Sequence, residues 1–316
     1  MKHVKLLIVG AGAAGMAAAL AAEQAFLTDH SEKQISDSIL LVEREKTPGG
    51  VLRQCVHRGF GLGYFSKSMT GIEYMNIFTE QLKNSNLPVW CDTSVLEITP
   101  DQKAILSGPQ TGRISISFDH LILSTGCYER PLSSLGIPGT RPAGIFTAGE
   151  AQRLINICHQ SIGNHVIILG SGDMGQILAR RVTIQGKKII AVIEQKSVCG
   201  GNKRNQRNCL EDYHIPVVLS STIVQIHGSE RITGITVEHT ITKETTYLPC
   251  DTLISAIGLI PEQRLIRHLR RDVVLPDWIT LCGNCEHVHT IVDNVSMQGN
   301  AAGITAVTKL KEQGLL

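Results

Sequence analysis

Residues 4–15 read Val-Lys-Leu-Leu-Ile-Val-Gly-Ala-Gly-Ala-Ala-Gly, an apolar run that ends in three glycines at positions 10, 12 and 15. A buried strand that runs straight into this spacing and on into the alanine-rich stretch 16–25 predicts strand, tight turn and helix, the order a dinucleotide fingerprint requires. Each glycine has its own physical reason. Gly10 permits the turn, Gly12 lets the backbone approach a diphosphate with no Cβ in the way, and Gly15 allows the helix to pack close to the strand. Ala14, beside them, belongs to the same cradle, and the helix N-terminus offers N–H groups and a positive dipole end to the phosphates. A second apolar strand, 38–42, ends on Glu43, whose carboxylate can accept hydrogen bonds from both hydroxyls of an adenosine ribose.

The same organisation begins again further along the chain. Strand 165–169 leads into Gly170-Ser-Gly172-Asp173-Met174-Gly175, then helix 176–185, then strand 188–193, which closes on Glu194. One fingerprint implies a ligand with a diphosphate. Two of them, the second lying inside the span of the first domain, imply a resident flavin (FAD) in one and a mobile nicotinamide, NAD(H), in the other, because hydride transfer needs two rings brought together. Glu194 favours NAD(H) over NADP(H). A 2'-phosphate about 4 Å from that carboxylate would meet a repulsion on the order of 4 kcal/mol at an effective dielectric near 20, an upper-end figure. Lys196, Lys203 and Arg204 follow it and would bind a phosphate if their loop folds back.

Composition narrows the remaining options. The 316 residues suit two domains, and 42% hydrophobic with only 4% aromatic residues suits alanine- and valine-rich α/β layers. A formal charge of +2 gives no bias toward nucleic acid. Nine scattered cysteines, an odd number, imply reduced thiols and a cytoplasmic setting. No apolar run reaches 18 residues without a glycine, so no membrane span is expected.

Between the two fingerprints, Gly49-Gly50 should form a turn close to a ligand and 51–67 an irregular loop. An amphipathic helix is expected over 70–84, capped by Thr70 or Ser68. Strands are expected at 88–91, 94–99, 103–106, 114–118 and 120–124, three of them as an antiparallel meander, with the last running into Thr125-Gly126. The proline- and glycine-rich stretch 131–142 reads as a crossing between domains. After strands 223–227, 232–238 and 252–256 come Gly258 and Pro261. The turn Cys282-Gly283-Asn284 then precedes a helix over 296–313, whose Gly299, Ala301, Ala302 and Gly303 are small enough for close packing.

These motifs, from Gly10 to Asn284, resemble the pyridine nucleotide-disulfide oxidoreductase superfamily over nearly the whole chain. Three stretches are more specific: Gln54-Cys55-Val-His57-x-Gly59-Phe60-Gly61, Gly126-Cys127-Tyr-Glu129-Arg130, and Ile137-Pro-Gly-Thr-Arg-Pro-Ala-Gly-Ile-Phe-Thr-Ala-Gly149. They are similar to FAD/NAD-binding subunits related to opine oxidase and hydrogen cyanide synthase, and to flavoproteins associated with glycerol 3-phosphate dehydrogenases. The resemblance implies an α/β fold of two Rossmann-like domains of three-layer ββα type, with FAD bound by residues 1–132 and 263–316 and NAD by the inserted 133–262. It places Gly49-Gly50 by the diphosphate and flavin, and the 282–284 turn at the ribityl chain, where Asn284 replaces the family aspartate and can still hydrogen-bond a hydroxyl. The segment from Pro261 to Cys282 is shorter than is usual for the family.

The resemblance also has limits. Disulfide reductases of this superfamily carry a cysteine pair by the flavin, whereas only Cys55 follows Gly49-Gly50 here, and the stretch holding the pair in small thioredoxin reductases reads Thr147-Ala148-Gly149-Glu150. Thioredoxin reduction is therefore not expected. Cys282 and Cys285 are expected to be small buried thiols, and no metal site is expected. Hydride transfer to a flavin needs no protein acid or base, so the catalytic residues stay open, with Cys55, His57, His287 and His289 as candidates for the ring region. The last helix should aim its N-terminus at the flavin pyrimidine edge.

The reading is an FAD-dependent oxidoreductase that takes hydride from NADH and passes electrons to a small-molecule or protein acceptor. One alternative makes it a subunit of an amine or glycerol 3-phosphate dehydrogenase, with a partner subunit. The other is a nucleotide-binding redox sensor. A homo-oligomer is compatible with all three.

Overall fold

Strand β1 (Lys2–Val9) has Leu6, Leu7 and Ile8 fully buried, and a strand covered on both faces needs an unbroken apolar run rather than alternation. The computed structural model describes residues 2–28, 32–270 and 274–316. After β1 come α1 (Ala13–Leu27), β2 (Ile39–Val42), α2 (Gly71–Lys83), β3 (Val89–Trp90), β4 (Ser94–Ile98), β5 (Lys103–Gly108) and β6 (Gly112–Leu123). Their sheet runs in the order β3-β2-β1-β6-β5-β4. Parallel pairing joins β1 to β2 and to β6, and the far edge is the antiparallel meander β4-β5-β6.

In this sheet and the loop before α2 the structure differs from the sequence reading. The strands expected at 114–118 and 120–124 are one strand, because β6 serves two neighbours: it pairs antiparallel with β5 over Gly112–Ser117 and parallel with β1 over Ile116–Leu123. The stretch 51–67 is not wholly irregular. Gly50–Gln54 is a 3-10 turn, and Arg58–Phe60 pairs with Met69–Thr70 just before α2. Thr70, not Ser68, caps α2, in a reciprocal box with Glu73.

The chain divides into two units, Met1–Tyr128 with Ile260–Leu316, and Glu129–Leu259. The crossings fall a few residues before the expected 132/133 and 262/263. Leu132 and Ile137, in the proline-rich stretch, are already buried in the core of the second unit. That unit contains β7 (Ile145–Thr147), α3 (Ala148–Asn156), β8 (His165–Leu169), α4 (Asp173–Ile184), β9 (Lys188–Ile193), β10 (Val217–Val218), the meander β11 (Ser221–Gly228), β12 (Ile232–His239) and β13 (Thr245–Pro249), and β14 (Thr252–Ser255). Its sheet is parallel in the order β7-β14-β8-β9-β10, with the meander as a separate three-stranded sheet. Ile167 and Leu169 of β8 share a core with Ile223, Ile235 and Val237 of the meander, and Ile168 faces α4 on the other side.

The chain returns to the first unit through the short β15 (Ile279–Leu281), which pairs with β6, and ends in α5 (Val292–Glu312). This helix starts four residues before the expected 296. It packs on α1 at backbone contact: a Cβ on Gly299 would lie 2.2 Å from the Ala14 carbonyl oxygen, and one on Gly303 2.2 Å from that of Ala18. Among the described residues no helix is long and apolar enough to cross a membrane.

Candidate functional site

In the first unit, Gly10 and Gly15 are fixed by the chain itself. Gly10 has φ +99°, and its Cβ would meet the Ser124 carbonyl oxygen at 2.6 Å, while one on Gly15 would sit 1.8 Å from the Gly10 carbonyl oxygen. Gly12 differs: apart from its own chain neighbours, no described atom lies within 4 Å of where its Cβ would be. Its missing side chain leaves open space at the head of α1, a helix with no capping side chain and no acid in its first turn. A diphosphate fits such a terminus, since the N–H groups and the dipole both favour an anion. The Gly49-Gly50 turn closes on it: the Gly49 N–H donates to the Ala11 carbonyl at 2.7 Å, and a Cβ on Gly50 would lie 3.2 Å from the Gly12 Cα.

Glu43 is buried at the end of β2, its Oε2 accepting the Ala11 N–H at 2.7 Å and its Oε1 the Glu45 N–H at 2.8 Å. Each oxygen keeps a second acceptor site, enough for two ribose hydroxyls. Ser124 donates from Oγ toward the Val9 and Gly10 carbonyls, and Thr125 Oγ1 donates to the Glu262 carbonyl at 2.6 Å. Gly126 sits at φ +73° with open space at its Cβ position.

The 282–284 turn packs against the fingerprint, since a Cβ on Gly283 would lie 2.7 Å from that of Ala14, which is why residue 14 is small. Asn284 is a clamp within this turn: its Oδ1 accepts the His289 N–H at 2.9 Å, and its Nδ2 lies 3.6 Å from Cys127 Sγ. One acceptor site on Oδ1 remains for a ligand hydroxyl. His289 Nε2 and the Gly283 N–H both contact Gln298 Oε1 at 2.8 Å, so His289 Nε2 carries the proton, and His287 lies against His289 with ring centres 4.0 Å apart and planes tilted by 48°. These two candidates therefore lie together beside the turn.

Cys55 and His57 belong to the segment after Gly49-Gly50. Cys55 sits under the start of α2, its carbonyl accepting the Gly71 N–H and its thiol donating to the Val51 carbonyl. Burial pushes that thiol up to about 12, the opposite of a reactive thiolate. His57 lies against Phe60, ring centres 5.0 Å apart. Cys282 and Cys285 are buried thiols whose ionisation is suppressed by burial, and Cys285 donates to the Leu123 carbonyl at 2.9 Å.

Asp293 was not legible as a site residue. Almost wholly buried in the first turn of α5, it accepts the Tyr64 N–H at 2.8 Å and the Gly61 N–H at 3.2 Å, tying the glycine-rich loop to the head of the last helix. Its signal is an acid in a helical first turn, which shows only once the helix is known to begin at Val292.

The second unit repeats the first. Gly170 has φ +104° with its Cβ position 2.3 Å from the Ala256 carbonyl oxygen, Gly175 closes on Gly170 at 2.2 Å, and Gly172 faces open space as the N-cap of α4. Asp173 and the half-buried Met174 open that helix. Glu194 accepts the Ser171 N–H at 3.1 Å, the Ser171 hydroxyl at 2.5 Å and the Lys196 N–H at 2.9 Å. Burial pushes its carboxyl up, but these hydrogen bonds together outweigh it and hold Glu194 below the usual range. Both acids thus bind the N–H after the first glycine and the N–H two residues beyond themselves. Gly258, at φ +114°, is open at its Cβ position, and its carbonyl accepts the Arg130 N–H.

The repeat also has a feature the sequence reading missed. Gly200-Gly201 follows Glu194 at the same distance as Gly49-Gly50 follows Glu43. A Cβ on Gly200 would lie 3.4 Å from the Gly172 nitrogen. The matching offset was the available signal, hidden because the residues between share no pattern. At the head of α3, where a redox pair would sit, Thr147 and Glu150 form a capping box and Glu129 accepts the Gly149 N–H at 2.8 Å. All nine cysteines are free thiols.

Two sheets with parallel centres, each with an open glycine turn and a carboxylate at a strand end, define an α/β protein with a repeated dinucleotide-type turn. The pyridine nucleotide-disulphide oxidoreductase family model matches residues 4–314, and the chain belongs to that family of FAD-dependent NAD(P)H oxidoreductases. Sarcosine oxidase subunit alpha of Rhizobium meliloti is 26% identical over 274 residues, 84% of this chain, which spans only 25% of that subunit's length. The NAD(P)H sulfur oxidoreductase (CoA-dependent) of Pyrococcus abyssi is 22% identical over 306 residues, 94% of this chain and 62% of its own. Among solved structures, T. acidophilum thioredoxin reductase superposes with a TM-score of 0.76 at 17% identity, covering 98% of this chain and 99% of that one, a likeness of fold.

Proposed function

We propose that the chain binds FAD in its first cradle and NAD(H) in its second, and passes electrons from NADH to an acceptor without a redox-active disulfide. The observation that carries this is the paired arrangement of Glu43 and Glu194, each at a strand end and bonded to the residue after the first glycine of its own turn. When bound, the flavin supplies a two-electron carrier between the nicotinamide and the acceptor. The chain's own work is placement. Gly12 and Gly49-Gly50 leave room for one diphosphate, and Glu43 orients its ribose. Asn284, held by His289, fixes the turn at the ribityl end. Gly172 leaves room for the second diphosphate, and the ionised Glu194 accepts a 2'-hydroxyl and repels a 2'-phosphate. The capped head of α3 leaves no thiol to relay electrons there, which supports an acceptor other than a disulfide of thioredoxin type.

Replacing Glu194 with Ala should narrow the preference for NADH over NADPH by about tenfold, read as kcat/KM with an artificial acceptor. Equal use of both nucleotides by the unmodified protein would exclude the role given to Glu194.

A second reading, the flavin subunit of a larger amine or glycerol 3-phosphate dehydrogenase, is favoured by the match to a sarcosine oxidase subunit of which this chain spans a quarter. The three motifs in 54–61, 126–130 and 137–149 fit the narrower relationship to opine oxidase-type subunits. Co-purification of a substrate-oxidising subunit from the native cells would select it.

A further inference from the structure

The two Gly-Gly turns stand in equivalent places but are held differently. In the first unit the Gly49 N–H bonds directly to the Ala11 carbonyl. In the second, side chains do the holding. Asp173 Oδ1 accepts the Asn202 N–H at 2.9 Å, Asn202 Nδ2 at 2.8 Å and Asn205 Nδ2 at 2.8 Å. Fully buried Gln176 donates from Nε2 to the Ser171 and Gly200 carbonyls, both at 2.6 Å, and Ser171 Oγ, which donates to Glu194, accepts the Gly200 N–H at 2.7 Å. Gly201, at φ +70°, lies so close that a Cβ would sit 2.8 Å from both Asp173 Oδ1 and Gln176 Nε2.

We infer that residues 199–205 form a strap that closes the second cradle, and that Asp173 is the positioning residue that latches it for recognition of a dinucleotide's diphosphate. The inference rests on the reading of that cradle as the nicotinamide nucleotide site. Three considerations support it. The strap brings the Gly200-Gly201 backbone to the edge of the open space at Gly172, where the Gly201 N–H, unlike that of Gly200, which Ser171 Oγ accepts, can face an anion. It also carries Lys203 and Arg204, both exposed and without an ion-pair partner among the described residues, beside a group with two negative charges. Finally, three amide donors converge on the one oxygen of Asp173, so the acid at the head of α4 is committed to holding the strap.

The experiment compares the full-length protein with Asp173→Ala, Asp173→Glu and Gly201→Ala, measuring dissociation constants for NADH, ADP-ribose and AMP, with thermal unfolding as the check on folding. Asp173→Ala and Gly201→Ala should each weaken NADH and ADP-ribose about tenfold, the effect of losing hydrogen bonds to a charged group. AMP, which lacks the diphosphate, should bind as before, and Asp173→Glu should recover part of the loss. Unchanged ADP-ribose affinity in Asp173→Ala, or an equal loss for AMP, would overturn the latch while leaving the nucleotide site in place. If the unmodified protein binds none of the three, the nucleotide reading itself fails and the latch with it.

Discussion

Glu43 and Glu194 show how one side chain can organise a turn. Each holds two backbone N–H groups that would otherwise be unpaired, so their removal has a structural as well as a binding cost. For Glu43→Ala, the buried Ala11 N–H loses its partner, a loss of roughly 1–3 kcal/mol in stability. Flavin retained after dialysis should fall severalfold and the unfolding temperature should drop with it. Retention of the full flavin complement would show that Glu43 holds the turn only. At this scale, the sequence revealed what is local. The three glycines, the strand-end acid and the Thr70 cap are legible because each belongs to a short pattern written in consecutive residues, even where its bonding partner is distant. Asp293 and Gly200-Gly201 were not, because their roles depend on partners far along the chain: Gly61 and Tyr64 for the one, Ser171 and Gln176 for the other.

Among the elements, the contact between α1 and α5 is the most tightly set. Gly299→Ala or Gly303→Ala would force methyl groups into the Ala14 and Ala18 carbonyls, so each should destabilise the protein by roughly 1–3 kcal/mol, measured by denaturant unfolding. A loss below the error of that measurement would mean the helices can separate freely.

Strand β6 carries a second test. His120 is fully buried, sharing a hydrogen bond with Thr280 at 2.8 Å, and its Nδ1 has no partner among the described residues. Burial, helped by Lys309, pushes the imidazole down from 6.5 to about 4. Between those values the unfolded chain binds a proton that the folded chain refuses. The stability contribution is therefore complete above about pH 6.5 and is lost as the pH falls toward 4, by roughly 3 kcal/mol at most. Unfolding midpoints from pH 8 to pH 5 should decline, and His120→Asn should flatten the curve. Parallel curves would show that other groups set the acid limit. The continuity of β6 was itself illegible, since Asp119 looks like a break until β1 and β5 are seen to claim overlapping parts of one strand.

At the scale of the whole molecule, the duplication carries the functional account. It was legible because the glycine spacing and the closing acid recur in order. The positions where the chain leaves and re-enters the first unit were read only approximately, because a proline-rich stretch marks irregular backbone and does not reveal which core its Leu132 and Ile137 will join. The most direct test is an anaerobic titration of the purified, FAD-loaded protein with NADH, followed by its visible spectrum. The account predicts that the flavin band bleaches with one equivalent of NADH, that NADPH is markedly slower, and that admission of an acceptor restores the colour. A protein that binds NADH yet takes up no FAD, or one whose bound flavin stays oxidised under excess NADH, would contradict it.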